Sequence, residues 1–394
     1  MTNKKFYSLL CAITLLSSSV VTSVSSVQAS ASAKVTISKQ VKSSSKKQTK
    51  SISKSAKNSQ KSVNNSRSAV NKMVNKEIKS KNFTGSDIVF GAARANLVSK
   101  SQAKSLNKEL LSQSKKGNIA RPVDIARVIL NMEALGLNPN KLGNRNLVKE
   151  LNKSKDITKQ GSYTTATALL ALGSGQFKVV TSSPSKVQQL INYLLKDAKN
   201  YNNEAWGFET NGVATKDIDT TSITVIALKT VLNNKVKYHL NSKTVATMNK
   251  VLKNATNFLI RSQLADGGFG YSGSKTSNVN STAMANVALS TMNKDTKKVK
   301  NKKAARSAID ALIKYQQKNG TFKTDYSPEL ATGQALLGLK ANILQANKKG
   351  SLYDFVSNPA VKSSTKKTKS SKSRSKSINT AKKTSTTKKQ TGKR

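Results

Sequence analysis

The stretch ATNFLIRSQLADGGF at residues 255–269 recurs as AIDALIKYQQKNGTF at residues 308–322. The two copies share Ala, Leu, Gln, Gly and Phe at the same spacing, which indicates an internal repeat. Weaker copies lie around Trp206-Gly207-Phe208 and around Gly161-Ser162-Tyr163. Each copy is followed by a segment of small and aliphatic residues with helical spacing. The repeat therefore predicts a series of similar helical units.

Two kinds of helical segment alternate along the chain. Six are rich in small residues and carry few charges; they begin near Ser86, Arg121, Thr164, Asp219, Asn280 and Glu329. The others are amphipathic, near residues 102–114, 143–153, 184–197, 243–263 and 302–317. Helices packed on both sides need apolar surface all round, whereas amphipathic helices expose one face to solvent. The pattern predicts an all-α fold, an α/α toroid of about six helix pairs over residues 82–357, and the uneven repeat length favours this closed ring over an open solenoid.

The turn inside the repeat has two interpretations. In the first, Gln263 binds backbone groups at the end of its helix, Gly267 adopts a turn conformation, and Phe269 fills the joint between helices. In the second, the turn is a ligand-binding loop. The recurrence of the same residues favours the structural interpretation, and the second stays open.

The spacing A-x2-F-L-x3-Q-x3-G-x-F resembles the QW repeat of terpenoid cyclases, with Phe in place of Trp. The whole arrangement resembles the α/α toroid of terpenoid cyclases, protein prenyltransferase β subunits and transcobalamin-type cobalamin carriers. RPVDIARVILNMEALGLNP and QLADGGFGYS are most similar to secreted bacterial members of that group. The resemblance covers residues 86–345 and implies the fold, while function does not follow, because such folds host unrelated chemistries.

The segment KDIDTT at residues 216–221 resembles the DxDD-T motif of class II terpenoid cyclases, in which the middle Asp protonates an alkene. Asp217 and Asp219 match the motif, but Thr220 replaces the third acid. The resemblance implies that Asp219, with Asp217, is the catalytic pair if the protein is a cyclase. The alternative is that both acids cap the following helix, where its dipole favours negative charge. The low aromatic content, 5%, favours capping.

Other chemistries of the superfamily lack their residues. The single cysteine, Cys11, lies in the N-terminal segment, and the single histidine, His239, lies in a polar stretch between helices. A zinc centre of the prenyltransferase kind and a thioester are therefore not expected. Cobalamin binding is also disfavoured, because no C-terminal β domain follows the helices. The sequence predicts no cofactor, no metal and a noncatalytic protein.

A ligand, if the ring binds one, is expected near the N-terminal ends of the small-residue helices. The ligand would be a small molecule or a peptide whose identity the sequence does not give. The candidate contact residues are Tyr163, Trp206, Phe208, Asp219, Phe269, Tyr271 and Phe322.

The two ends of the chain differ in composition from the middle. Residues 1–31 combine Lys4 and Lys5, a short apolar stretch and small residues up to Ala31, which predicts a secretory signal peptide. Residues 32–81 and 358–394 are rich in Lys, Ser and Thr and predict disordered basic arms.

Charge is the strongest functional signal. The chain has 69 Lys and Arg against 18 Asp and Glu, a net charge of +51. Such a polycation binds polyanions in a salt-dependent way. For an exported protein these are anionic envelope polymers such as teichoic acid, anionic lipid or extracellular DNA; the alternative is a charged linker that serves only solubility. We expect a secreted, cell-wall or cell-surface protein, with a terpenoid-cyclase-like isomerase or lyase and a nonspecific nucleic-acid-binding protein as alternatives.

Overall fold

The computed structural model describes residues 33–80, 83, 85–175, 185–210 and 213–355. These residues form twelve α-helices and one two-stranded sheet, so the predicted all-α class is confirmed. The predicted signal peptide and the predicted basic tail lie outside the described residues. Among the described residues, none of the helices is both long and apolar enough to cross a bilayer.

Six helices are buried on nearly all sides, and we call them the inner helices. They are α2 (Asp87–Arg94), α4 (Pro122–Ala134), α6 (Gly161–Ser174), α8 (Ile218–Asn233), α10 (Val279–Thr291) and α12 (Pro328–Ala346). In α10, for example, every residue from Ser281 to Thr291 is buried. Small side chains allow this, because they let neighbouring backbones approach on several sides.

The outer helices expose one face. They are α1 (Ala33–Ser80), α3 (Lys100–Lys115), α5 (Leu147–Lys153), α7 (Lys186–Asp197), α9 (Ser242–Arg261) and α11 (Ala308–Lys314). The hairpin β1 (Gly207–Thr210) and β2 (Val213–Lys216) leads into α8. Helix α11 begins later than the predicted residue 302 because the Ser307 hydroxyl caps it by accepting from the Asp310 amide.

The inner helices contact one another in a cycle. Helix α2 contacts α4, and the contacts continue through α6, α8 and α10 to α12, which contacts α2 again. The last contact is especially close, because a Cβ atom added to Gly91 of α2 would lie 2.1 Å from the carbonyl oxygen of Gly333 in α12. The first and last inner helices are therefore packed directly on each other.

The prediction of a disordered linker over residues 32–81 is wrong for most of that segment, since α1 occupies Ala33–Ser80. Helix α1 contacts α2, α3, α11 and α12. It buries a stripe of small and aliphatic residues at helical spacing, which consists of Ser55, Ala56, Ser59, Ser62, Val63, Ser66, Val70 and Val74. Composition predicted disorder because the segment has few apolar residues, but buried serines need only hydrogen-bond partners. The side chain of Asn342 in α12 binds the hydroxyls of Ser55 and Ser59.

The two repeat copies make the same joint with different outer segments. The side-chain amide of Gln263 donates to the Gly267 carbonyl (2.8 Å), and its oxygen accepts from the Asn301 amide ahead of α11 (2.9 Å). In the second copy, Gln316 donates to the Ser62 carbonyl (2.8 Å) and the Ser66 hydroxyl (2.9 Å) of α1. The segment before α11 therefore contacts the turn of the first repeat, and helix α1 contacts the turn of the second repeat in the same way.

Candidate functional site

A small cavity lies where the six inner helices meet. It has a volume of about 60 Å³. Its lining comes from all six inner helices and the C-terminal segment, and includes Asp87, Phe90, Arg127, Leu130, Asn131, Tyr163, Thr167, Ile223, Met284, Gln334, Leu337 and Tyr353. Pockets that enclose drug-sized ligands usually measure about 300–1,000 Å³. The cavity as it stands is too small for a corrinoid or a prenyl chain.

The space is small because residues 351–355, which we call the axial segment, fill one end of it. The rings of Phe90 and Tyr353 are stacked with centroids 5.6 Å apart, and Phe355 lies edge-on to both at 6.4 and 6.3 Å. Leu352, Tyr353 and Phe355 are 1%, 3% and 4% exposed. Lys348 and Gly350 both have positive φ, which turns the chain after α12 towards the inner helices. Tyr353 of the axial segment therefore lines the cavity together with the inner helices.

Buried charged groups surround the axial segment at the C-terminal ends of α2 and α4. The Arg94 guanidinium lies 4.8 Å from the Phe355 ring centroid, and burial lowers the Arg94 pKa to about 10. Burial also raises the pKa of Glu133 to about 8, although a hydrogen bond from Ser174 (3.3 Å) and the charges of Lys237 and Arg94 oppose the rise. Among the described residues, Glu133 Oε1 has no hydrogen-bond partner.

Asp217 and Asp219 lie at the start of α8, at the opposite end of the inner helices. Asp217 caps the helix: its Oδ2 accepts from the Thr220 amide (2.7 Å) and hydroxyl (2.8 Å). The predicted capping role is thus present for Asp217. Asp219 instead receives the Ser281 hydroxyl of α10 on Oδ2 (3.1 Å), and burial together with the nearby Asp217 raises the Asp219 pKa to about 7.

Exposed aromatic side chains lie around the N-terminal ends of the inner helices. Tyr163 is 45% exposed in the first turn of α6, Phe208 is 49% exposed in β1, and Tyr271 is 58% exposed in the loop before α10. Tyr326, 83% exposed, lies just before α12. Of the predicted ligand contacts, Tyr163, Phe208, Asp219 and Tyr271 therefore share this end of the fold.

The other three predicted contacts are buried in the joints between helices. Trp206, Phe269 and Phe322 are 0%, 0% and 1% exposed. Each backbone amide donates to a threonine hydroxyl of the following inner helix; the pairs are Trp206 with Thr221 (3.0 Å), Phe269 with Thr282 (2.9 Å) and Phe322 with Thr332 (3.3 Å). These aromatic residues join an outer unit to an inner helix, as the structural interpretation of the repeat predicted.

The same hydrogen bonds show which residue is the repeat aromatic in the third copy. Trp206, not Phe208, occupies the position of Phe269, and its indole donates to the Leu194 carbonyl of α7 (2.8 Å). The weaker copy identified in the sequence, Trp206-Gly207-Phe208, contains both aromatic residues and did not assign this position to either. The spacing to the threonine does not distinguish the two, because the paired residues are 15, 13 and 10 positions apart in the three joints.

The buried groups near the axial segment were not among the residues that the sequence indicated. Glu133 and Arg94 are single charges inside apolar helices, in NMEALG and GAARANL, and such an isolated charge was the available signal. Tyr353 and Phe355 lie close to the basic tail and gave no periodic signal. His239 is exposed, and the described residues contain no group of three or more His, Cys, Asp or Glu side chains placed to hold a metal ion.

Comparison with known proteins leaves the family open: no family model matches the sequence, and no curated protein is significantly similar to it.

Proposed function

We propose that the protein is an exported, noncatalytic surface protein whose basic outer face holds it on anionic envelope polymers such as teichoic acid. The observation that carries this proposal is the basic side of α1. Its exposed cations are Lys54, Lys57, Lys61, Arg67, Lys72, Lys76 and Lys79. Among the described ion pairs, only Lys76 of this set has an acidic partner, Glu329 (2.7 Å). Helix α1 is thus a rigid row of positive charge, and a row of charge favours a polyanion.

Other outer helices extend the same surface. Lysines are exposed on α3, at Lys104, Lys108 and Lys115, and on α9, at Lys243, Lys250 and Lys253. Lysine presents a compact charge without planar hydrogen-bonding geometry, so binding should be general for polyanions rather than specific for one sequence or sugar. Export rests on the signal-like residues 1–31.

The arrangement of the helices is proposed to be an α/α toroid of six pairs, with α1 as an outer helix of the ring. The cycle of contacts between inner helices and the closure between Gly91 and Gly333 support this arrangement. The two repeat copies support it as well, because each packs against the next outer segment. A toroid would present the exposed aromatic residues at one end and the basic helices on its sides.

The test is retention of the mature protein on purified cell walls, with and without teichoic acid, across a salt series. One variant carries Lys54→Gln, Lys57→Gln, Lys61→Gln and Lys72→Gln, and its matched control carries Arg at the same four positions. The Gln variant should bind more weakly and show a salt slope reduced by about one for each lost contact, while the Arg control binds like the wild type. Equal binding by the Gln variant would reject α1 as the binding face, and preference for DNA over teichoic acid would favour the nucleic-acid alternative.

A terpenoid-cyclase-like enzyme is a second candidate because of Asp219. A buried carboxyl group with a pKa of about 7 is suited to act as a general acid. The 60 Å³ cavity, however, requires the axial segment to leave before a prenyl substrate enters. Turnover of prenyl substrates by the wild type and its loss in Asp219→Asn would establish this candidate, and an inert wild type would reject it.

A further inference from the structure

The loop between α10 and α11, residues 292–306, is strongly basic and firmly anchored. It contains six lysines and one arginine but only one acidic residue. The Thr296 hydroxyl donates to the Asn342 side chain of α12 (2.9 Å), and the Val299 carbonyl accepts from the Ala308 amide at the start of α11 (2.9 Å). Thr296 and Val299 are 0% and 7% exposed. The backbone that carries the basic side chains is therefore held in place by buried contacts.

An open groove lies along this loop, and we call it the lysine groove. Its volume is about 370 Å³. The groove is lined by Lys294, Lys298 and Lys300, by Asn293, Asp295 and Val299 of the same loop, by Ile260 of α9 and by Gln345 of α12. Sites for small organic molecules usually measure about 300–1,000 Å³. Unlike the central cavity, the lysine groove is therefore large enough for such a molecule.

The three groove lysines have no acidic partner. All three are exposed, and none of them forms an ion pair within the described part of the chain. Lys297 of the same loop differs, because it pairs with Asp310 of α11. Asp295 is the single acid in the lining; its Oδ1 accepts from the Lys297 amide (3.0 Å), and its Oδ2 is buried. Positive charge gathered around a concave site attracts anions, and here two charges exceed what Asp295 can compensate.

We propose that the lysine groove binds an organic phosphate ester. Lysine binds phosphate as a point charge, and a phosphate monoester carries a charge of about −1.5 to −2 near neutral pH, which matches the excess charge of the lining. A carboxylate carries a single charge and would leave part of the excess uncompensated. Ile260 and Val299 in the lining can contact the carbon skeleton of the ester. The groove does not include α1, so this inference goes beyond the wall binding proposed above and does not depend on it.

The experiment measures ligand binding to the full mature chain by calorimetry at low ionic strength, where charge interactions are least screened. Glycerol 3-phosphate represents a free monoester, and glycerophosphoglycerol represents an internal unit of a phosphate polymer. Glycerol is the uncharged control, and inorganic phosphate is the control without a carbon skeleton. We expect at least one ester to bind about tenfold more tightly than either control. A preference for the monoester would identify a free small molecule as the ligand, and equal or tighter binding of the diester would identify a polymer unit.

Substitutions in the groove connect this binding to its lysines. A variant with Lys294→Gln, Lys298→Gln and Lys300→Gln should bind the ester about tenfold more weakly, because it loses three charge interactions of modest individual strength. Arg at the same three positions keeps the charge and should retain most of the affinity. Thermal unfolding verifies that both variants are folded.

A second variant separates the groove from the general positive charge of the protein. Lys116→Gln, Lys155→Gln and Lys235→Gln remove the same charge from exposed positions in three other loops, none of which lines the groove. This variant should bind the ester like the wild type. Equal weakening in the two Gln variants would show attraction by net charge alone and would overturn the proposal. Esters that bind no more tightly than glycerol or inorganic phosphate would overturn it as well.

Discussion

At the scale of single residues, Glu133 illustrates how the inner helices tolerate a buried charge. Burial raises its pKa from the usual range to about 8, so the folded protein holds the proton more tightly than the unfolded chain does. A proton held more tightly in the folded state stabilises the fold at low pH. The free energy of unfolding should therefore fall as pH rises from about 4.5 to about 8.

The variant Glu133→Gln should lack this pH dependence. Because one pKa unit corresponds to about 1.4 kcal/mol, the wild type loses roughly 3–4 kcal/mol between pH 5 and 8 through this group. The variant should equal the wild type near pH 4 and exceed it at pH 8. Denaturant unfolding at several pH values measures the difference. Parallel pH profiles for the two proteins would contradict the assignment of Glu133 as the buried acid.

Gly320 is the residue on which the joint between the second repeat and α1 depends. Its φ is +86°, and an added Cβ atom would lie 2.4 Å from the Asn65 carbonyl oxygen of α1. Gly320→Ala should cost more than the 1–3 kcal/mol or so that a left-handed conformation alone costs. Gly273, with φ +69° and open space around it, is the matched control. Similar losses of stability in Gly320→Ala and Gly273→Ala would show that α1 does not press on this turn.

At the scale of elements, the sequence predicted the inner helices and all the outer helices except α1. Regular spacing of Gln, Gly and aromatic residues identified the outer and inner segments around α9 to α12. Helix α1 was missed because its buried face consists largely of serine, and hydropathy cannot separate a buried, hydrogen-bonded serine from a solvated one. The axial segment was missed because five residues are too few for a periodic pattern.

Part of the candidate site could be predicted from the sequence for a physical reason. Asp219 and Tyr163 lie at fixed offsets from a helix start, so their common location follows from the parallel inner helices. Trp206 and Phe208 are separated by one residue, yet Trp206 is buried and Phe208 is 49% exposed. Which of the two fills the joint depends on Thr221, fifteen residues beyond Trp206, and spacing alone does not reveal this partner.

Helix α1 can be tested as an integral element by two neighbouring substitutions. Val70 is 0% exposed, whereas Lys72 is exposed on the same helix. Val70→Asp places a charge in the core and should destabilise the fold by roughly 3 kcal/mol or more. Lys72→Asp should change stability by no more than about 0.5 kcal/mol. Thermal unfolding compares the stability of the two variants. If Val70→Asp unfolds like the wild type, residues 33–80 are a linker and not an integral helix of the fold.

At the scale of the whole molecule, the N-terminal and C-terminal ends of the inner helices carry different kinds of residue. The N-terminal ends of the inner helices carry exposed aromatic residues and carboxylates, and the C-terminal ends are closed by buried charges and the axial segment. The outer helices carry 26 Lys and Arg residues, half of those in the described part of the chain. Binding of polyanions to the outer helices would therefore leave the N-terminal ends of the inner helices uncovered.

The axial segment determines whether the central cavity can admit a ligand, and two truncations separate its effect from that of the tail. A chain ending at Gly350 loses Tyr353 and Phe355, whose burial contributes on the order of 3–5 kcal/mol each. A chain ending at Phe355 loses only the basic tail. The shorter chain should be less stable and should bind an apolar fluorescent dye in the enlarged cavity, while the longer chain should do neither.

A synthetic peptide with the sequence SLYDF should displace the dye from the shorter chain, and the same peptide with Ala at both aromatic positions should not. Dye binding that is equal in the two truncated chains would mean that the axial segment does not close the cavity.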